Sequence, residues 1–492
     1  MISAINEHFL IASTLILFCY GITYKLSNKY QYANISKSVT LLGIIILLTT
    51  LSILIVDIPM HTIKYNSLFV KDYTSYFVEF ITLCLALGTI LVTIRYNTRE
   101  KIPQFEYIIL ILCVTIAIHL LVTVEDIFAL YLILEFQNIC VCILIAIKRN
   151  NESIDAAIKS LIVGSIASAI LLAGFAILYD ISGGMTNFEE LSIFFKSINK
   201  ELAPSWMMYI SISLISIGLF LKVYISPFHM WVSDIYASAP NSSLLMISTT
   251  SVMPIFMISH KIYVGILLGY NWFWEYIIHI TCIVSIVIGT IGAIYQSSIK
   301  RMLAYSSIAN AGYIFISFVS HSSIESISSS IAYLTVYVFN IFGILSLMTN
   351  IRFNTINGEE YTLETTHQLT GLYHKNKLLA VMMAIYSYTM AGLPPFSFFF
   401  LKMGIFVAVL NDPKYMWLAI IMAIATSIAV FYYLRMVQLM YFETLKENNV
   451  IQKVPFIVSI LSFIIVTMNV FFYIYSTEIM SIILHVTYDL YT

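Results

Sequence analysis

The chain has 492 residues, of which 60% are hydrophobic and only 10% charged, with a net charge of −1. Soluble domains carry about 25% charged residues, so this composition excludes a water-soluble fold and requires a bilayer as solvent. The balanced charge offers no basic surface for nucleic acid. No Rossmann, P-loop or haem-attachment motif occurs, so no bound redox cofactor is expected.

Apolar runs of roughly 20 residues, the length of a bilayer span, recur along the chain. Fourteen segments are predicted, near 8–24, 39–57, 74–94, 105–122, 124–147, 158–179, 208–227, 243–268, 276–294, 303–319, 328–350, 378–403, 415–440 and 454–478. The first reads as a retained membrane helix, because the N-terminus has neither the Arg-rich pattern of a transit peptide nor a small-residue cleavage site. The longest connections, Asp180–Ser205 and Ile351–Lys377, are polar enough to lie in water, and no second, soluble domain is expected. Of the 25 Lys and Arg residues, sixteen follow odd-numbered segments and six follow even-numbered ones. That asymmetry puts the odd connections, and neither terminus, on the cytoplasm-like side. The six cysteines all lie in apolar runs, and Cys140 and Cys142, about 200° apart on a helix, do not converge on a metal. Usage tilted toward Tyr (34) and Phe (32) over Gly (18) and Pro (10) is similar to that of an AT-rich, for instance mitochondrial, genome.

Four charges sit within or at the mouth of the apolar segments. Glu135 lies in YLILEFQNICVCILIAI, Lys222 in ISIGLFLKVYISPFHMW and Lys402 in MAGLPPFSFFFLKMGIF, while Lys159 opens segment 6 nearer the interface. A charge at mid-bilayer costs about 2.5–3.5 kcal/mol even on the lenient insertion scale, so these residues are expected to face a hydrated interior and to pair. For Lys159 a snorkelling lysine is the plainer alternative. Pro227 follows Lys222 by five residues, and Gly392, Pro394 and Pro395 precede Lys402. Segments 7 and 12 are therefore both broken, the mark of a repeat-built transporter with its site at the midplane. Broken backbone at that depth must be buried in protein or line a wet cavity. His229 stands seven residues after Lys222, on the same side if the helix continues, and its ordinary pKa near 6.5 suits a proton relay.

Four passages carry a resemblance: KVYISPFHMWVSDIYASAP (Lys222–Pro240), QSSIKRMLAYSSIANAGYIF (Gln296–Phe315), MAGLPPFSFFFLKMGIF (Met390–Phe406) and KRNNESIDAAIKSLIVGSIASAILLAGFAILY (Lys148–Tyr179). In order and spacing, over about residues 70–440, the chain resembles the antiporter-like subunits of respiratory complex I and their relatives in multisubunit cation/proton antiporters. Trp231, two residues after His229, resembles the subunit 2 branch rather than those of subunits 4 or 5.

The resemblance implies an all-α integral membrane protein of about fourteen transmembrane helices, a single polytopic domain over 1–492. Within it would lie N-terminal helices 1–3 (1–104), two inverted five-helix repeats (105–268 and 276–440) with helices 7 and 12 broken, and a C-terminal helix (441–492). It implies proton translocation coupled to electron transfer within a proton-translocating NADH:ubiquinone reductase, in the mitochondrial inner membrane or, alternatively, a bacterial plasma membrane. NADH, FMN, Fe–S clusters and ubiquinone would be bound by other subunits and none by this chain. The implied partners are other membrane-arm subunits, especially antiporter-like subunit 4 and the small membrane subunits, together with membrane lipids and no nucleic acid.

Carried over residue by residue, Glu135 matches the family's segment-5 glutamate and Lys222 its lysine partner. Lys159 and His229 match relay positions, and Lys402 matches the segment-12 lysine facing the outward half-channel. Three positions depart: Ser233 replaces a proline, Ser238 a glycine, and Val252 stands where the resemblance implies a central lysine. Candidates to bridge that gap are His260 or Lys261, Tyr305, Ser306 and Ser307 on segment 10, or water held by Thr249, Thr250 and Ser251. Two other readings remain: a subunit of a free-standing cation/proton antiporter, and a bracing subunit that has lost transport. Val252 favours the latter, while Glu135, Lys222 and Lys402 oppose it.

Overall fold

In a bilayer the backbone of a long apolar run has no hydrogen-bond partner but itself, and helices satisfy it locally. The computed structural model, which describes residues 5–23, 36–56, 62–197, 205–318, 324–354, 360–411, 413–443 and 450–489, is accordingly built almost wholly of helices. In the first half these are α1 (Ile5–Thr23), α2 (Ser36–Val56), α3 (Tyr73–Arg99), α4 (Gln104–Thr123), α5 (Ile127–Ala146), α6 (Asn151–Ile181), the short α7 (Phe188–Ser197), α8 (Ser205–Lys222), α9 (Met230–Ser238), α10 (Asn241–Thr250) and α11 (Val252–His260). In the second half come α12 (Asn271–Ile294), α13 (Ile299–Phe315), α14 (Ile324–Asn350), the single turn α15 (Leu372–Lys375), α16 (Lys377–Ala391), α17 (Ser397–Leu410), α18 (Met416–Tyr441), α19 (Phe456–Val470) and α20 (Phe472–Asp489). A hairpin, β1 (Thr62–Lys64) and β2 (Phe69–Lys71), joins α2 to α3 with Thr62 opposite Lys71. A three-stranded sheet ordered β4-β3-β5, from Arg352–Asn354, Glu360–Thr362 and Val450–Ile451, closes one end of the bundle.

Polar caps start several spans. Asp72 accepts from the Ser75 amide at 2.9 Å and Asp126 from the Phe128 and Ala129 amides at 2.9 and 3.0 Å, each satisfying first-turn donors that the helix cannot. Asn150 does the same for α6, which therefore begins seven residues before its predicted start. The ends predicted for segments 1, 2 and 10 at residues 24, 57 and 319 lie outside the described residues.

By length and composition, ten helices among the described residues can cross a membrane, and the pair α19–α20 passes the same test together. That pair corrects the sequence reading: the segment predicted as one span over 454–478 bends by 87° at Phe471. The remaining apolar pieces are short. α8, α16 and α17 are apolar helices too short to count among the ten, and α10 and α11 join across Ser251, where Pro254 lacks an amide hydrogen and crowds the Thr250 carbonyl.

The segment Asn241–Ile266 and helix α14 form the centre of the bundle, with 89% and 83% of their apolar windows buried, against 33% for α1, α2 and α6. Close helix contacts use small residues: at Gly289 of α12 an added Cβ would lie 2.5 Å from the Ala309 amide nitrogen of α13.

Candidate functional site

Helix α8 ends at Lys222. Tyr224 then takes a left-handed conformation (φ 54°), the Ser226–Pro227 peptide is cis, and the chain becomes helical again only at Met230. The helix does not continue from Lys222 to His229, so the condition for a shared helical face is not met and the expected break in segment 7 stands in its place. His229 is nevertheless buried, with its ring 6.5 Å from that of Tyr305. The second break has the same construction. Gly392 ends α16 at φ 78°, a conformation only glycine adopts freely, and the cis Pro394–Pro395 peptide precedes α17. Lys402, about one and a half turns into α17, folds back over this break: a Cβ at Gly392 would lie 3.4 Å from its Nζ. Its ammonium sits 5.1 Å from the centre of the Tyr313 ring, a cation–π distance.

Lys222 opens into a cavity of about 90 Å³. That is more than the space one water needs. Gln137 and Asn138 of α5, Ser160 of α6, and Tyr224, Tyr236 and Ser251 supply its polar atoms. His229 and Lys402 lie outside it, so the single continuous track expected from the sequence is not one open cavity. Glu135 is half-buried on α5 and takes part in none of the ion pairs formed among the described residues. Its charge acts on Lys222, so the expected pair is coupled through space or intervening water rather than by direct contact. Lys159 is exposed and bonded to Asp234 at 2.7 Å, away from the cavity to which its neighbour Ser160 contributes. That arrangement is closer to the snorkelling alternative than to a buried relay.

Val252, where the resemblance implies a central lysine, is 1% exposed. The hydroxyls before it are committed to their own helix, although Ser251 also lines the Lys222 cavity. Thr249, Thr250 and Ser251 donate to the carbonyls of Leu245, Met246 and Ile247, four residues back, at 2.7, 2.5 and 2.7 Å. Lys261 is equally committed. Its Nζ reaches the Glu125 carboxylate at 2.6 Å and the Val122 and Val124 carbonyls at 3.0 and 3.4 Å, capping the C-terminal end of α4. His260 is buried beside Phe318. Segment 10 differs: Ser306 is 2.5 Å from the Tyr433 hydroxyl, and Asn310 donates to Ser306 at 3.3 Å and accepts from Tyr333 at 2.7 Å.

The two ends of the bundle hold their charges in pairs. At the odd-connection end, Glu100 meets Lys148 at 2.9 Å and Arg352 at 2.6 Å, and Arg149 meets Glu106 at 2.9 Å. Burial alone would raise the Glu100 carboxyl, but Lys148 and Arg352 hold it below its ordinary value of 4.5. At the other end Glu7 binds Lys64 at 3.0 Å, and Glu79 lies 3.6 Å from Lys71, all four side chains less than a tenth exposed. Sequence reasoning does not single out Glu79, although a carboxylate inside the run YFVEFITL is the same signal that marks Glu135. His119 of α4, 2% exposed with neither ring nitrogen bonded, lies in the field of Glu7 and Lys71. Among the described residues no group of His, Cys, Asp and Glu could hold a metal.

Residues 124–421 match the sequence model of a family described as NADH:quinone oxidoreductase/Mrp antiporter, transmembrane. The chain is 32% identical over 482 residues to NADH-ubiquinone oxidoreductase chain 2 of Marchantia polymorpha, covering 96% of this chain and 95% of that one. Its fold is similar to a chain of respiratory complex I from Thermus thermophilus (TM-score 0.77, 19% identity, 96% and 98% of the two chains). It is similar also to a chain of the Mrp complex of a Dietzia species (TM-score 0.83, 16% identity, 100% and 98%).

Proposed function

The chain belongs to the NADH:quinone oxidoreductase/Mrp antiporter membrane family, and we propose that it is a proton-translocating, antiporter-like membrane-arm subunit of respiratory complex I. The observation that carries the reading is the pair Lys222 and Lys402. Each stands at a helix break in the bundle interior, and neither forms an ion pair among the described residues. A lysine kept there without a carboxylate against it gains no structural bond, and its proton is free to move. Glu135 acts on Lys222 through its charge. When that charge is near, the ammonium is favoured; when the field weakens, the proton leaves toward Lys402. Moving one charge across 100 mV costs about 2.3 kcal/mol, and a lysine pKa change of two units supplies about that much. His229 lies between the first break and Tyr305 as a relay, while Lys159 with Asp234 forms an exposed pair outside the Lys222 cavity.

Counting α8–α9, α16–α17 and α19–α20 as interrupted spans, and α13 as a span, gives fourteen crossings. The two broken spans then hold corresponding places in inverted repeats over 105–268 and 276–440. The resemblance to chain 2 of plant mitochondrial complex I supports a place in the mitochondrial inner membrane, beside antiporter-like subunit 4 and the small membrane subunits. The redox cofactors would stay in other subunits. A bracing role is favoured by one observation, the buried Val252.

One experiment separates the two readings. In the intact complex, Lys222→Met should lower coupled NADH:quinone turnover roughly tenfold, about 1.4 kcal/mol of barrier, while NADH oxidation by artificial acceptors stays intact. Coupled turnover at the wild-type rate, with the variant present in the assembled complex on a native gel, would leave the bracing role.

A further inference from the structure

Two clusters of hydroxyls from neighbouring elements meet at Ser306 and Ser307 of α13, one beside the Lys222 cavity and one toward Tyr313. On one side the hydroxyls of Tyr224, Tyr236 and Tyr337 converge on one another beside Ser307, whose own hydroxyl donates to the Leu303 carbonyl at 2.8 Å and can only accept from them. They come from the α8–α9 break, α9, α14 and α13, and all three phenolic oxygens are buried without an aligned hydrogen-bond partner. A buried hydroxyl left unmatched costs about 1–3 kcal/mol, and three of them converging is the polar setting in which a protein holds an internal water. The rings of Tyr224 and Tyr236 form part of the wall of the Lys222 cavity, so this cluster begins where that cavity ends. On the other side Ser306, the next residue of α13, starts the chain already described, with Tyr433, Asn310 and Tyr333. Tyr333 lies 6.5 Å, ring to ring, from Tyr313, over which the Lys402 ammonium rests.

We propose that Tyr224, Tyr236 and Tyr337 hold the water that joins Lys222 to Lys402, a tyrosine bridge in the place of the central lysine that Val252 lacks. This rests on the proton-translocating reading above. The Lys222 ammonium gives its proton to the nearest cavity water and becomes neutral. Each water or hydroxyl oxygen accepts one proton and releases its own to the next, so no phenolate is formed. The excess proton passes from the tyrosine-held water to the Ser306 hydroxyl, since Ser307 is committed to the Leu303 carbonyl at 2.8 Å, and arrives on the neutral amine of Lys402. Re-protonation of Lys222 and turning of the hydroxyls reset the path. Asn310 has no hydroxyl proton to pass in this way; it positions Ser306 and Tyr333.

The test replaces the three hydroxyls and keeps the rings. Tyr224→Phe, Tyr236→Phe and Tyr337→Phe, made singly and together in the intact complex, are reconstituted into vesicles, and protons pumped per NADH are measured in H₂O and D₂O. Each lost hydroxyl removes about one hydrogen bond from the path, so a roughly tenfold loss of coupled rate is expected for the triple variant. A changed solvent isotope effect should accompany it, with unchanged oxidation of NADH by artificial acceptors. If the triple variant fails to assemble, the single Tyr337→Phe variant carries the same test with a smaller expected loss. Wild-type pumping and isotope effect in the assembled Phe variants would overturn the bridge. Lys222→Met then tells which idea has failed: if it stops pumping while the Phe variants pump, only the bridge falls, and if neither matters the proton-translocating reading falls with it.

Discussion

The ends of the bundle and its middle treat lysine in opposite ways. At the ends, Lys64, Lys71, Lys148 and Lys261 each face a carboxylate within 4 Å, and Lys261 also takes two carbonyls at the close of α4. In the middle, Lys222 and Lys402 have only a distant carboxylate, a cavity and an aromatic ring. Both groups are costly to bury, but the end lysines recover the cost in bonds that tie helices together and the middle ones do not. The comparison separates residues that hold the fold from residues that can carry a proton, a distinction that charge and hydropathy alone do not make.

The comparison is tested hardest at Lys261. Removing one partner of a buried pair leaves an uncompensated charge, at about 3–5 kcal/mol. Lys261→Met should therefore strongly reduce the amount of assembled complex on a native gel, while the fraction that assembles pumps normally per NADH. Assembly at wild-type level would remove Lys261 from the structural class. The next effect is a coupling. Lys71→Met and Glu79→Leu should each destabilise the solubilised complex, and the double variant should lose less than the sum, by about 1–3 kcal/mol. Additive losses would mean that the 3.6 Å pair is not a functioning contact.

The smallest effect is in pH. Glu100 is held below its ordinary 4.5 by Lys148 and Arg352, so its stabilising contribution is complete above about pH 4.5 and is lost as pH falls through the lowered folded value. The acid limb of a thermal-stability profile should flatten in Glu100→Gln. An unchanged acid limb would show that the Lys148–Glu100–Arg352 cluster contributes nothing measurable.

Much of this was legible in the sequence, for a physical reason. Lys222 and Lys402 stand out because a charge in an apolar run and a Pro or Gly break are both expensive, and their coincidence is rare. Features that depend on distant parts of the chain were not legible. Lys261 reads as a bridge candidate until Glu125, 136 residues earlier, is seen to claim it. Glu79 carries the right signal, but its partner Lys71 is placed by a hairpin turn rather than by helical spacing. The tyrosines were invisible individually, because Tyr is so common here that only packing shows which three hydroxyls meet. The α19–α20 bend has no proline or glycine near Phe471 to announce it.

The most direct test of the division between paired and unpaired lysines compares Lys402→Met with Lys261→Met, measuring protons pumped per NADH and the amount of assembled complex for each. Lys402→Met should assemble normally and lose roughly tenfold in coupled proton transfer, while Lys261→Met should assemble poorly and pump normally in what remains. The reverse pattern, with Lys402→Met pumping fully and Lys261→Met assembled but silent, would contradict the account.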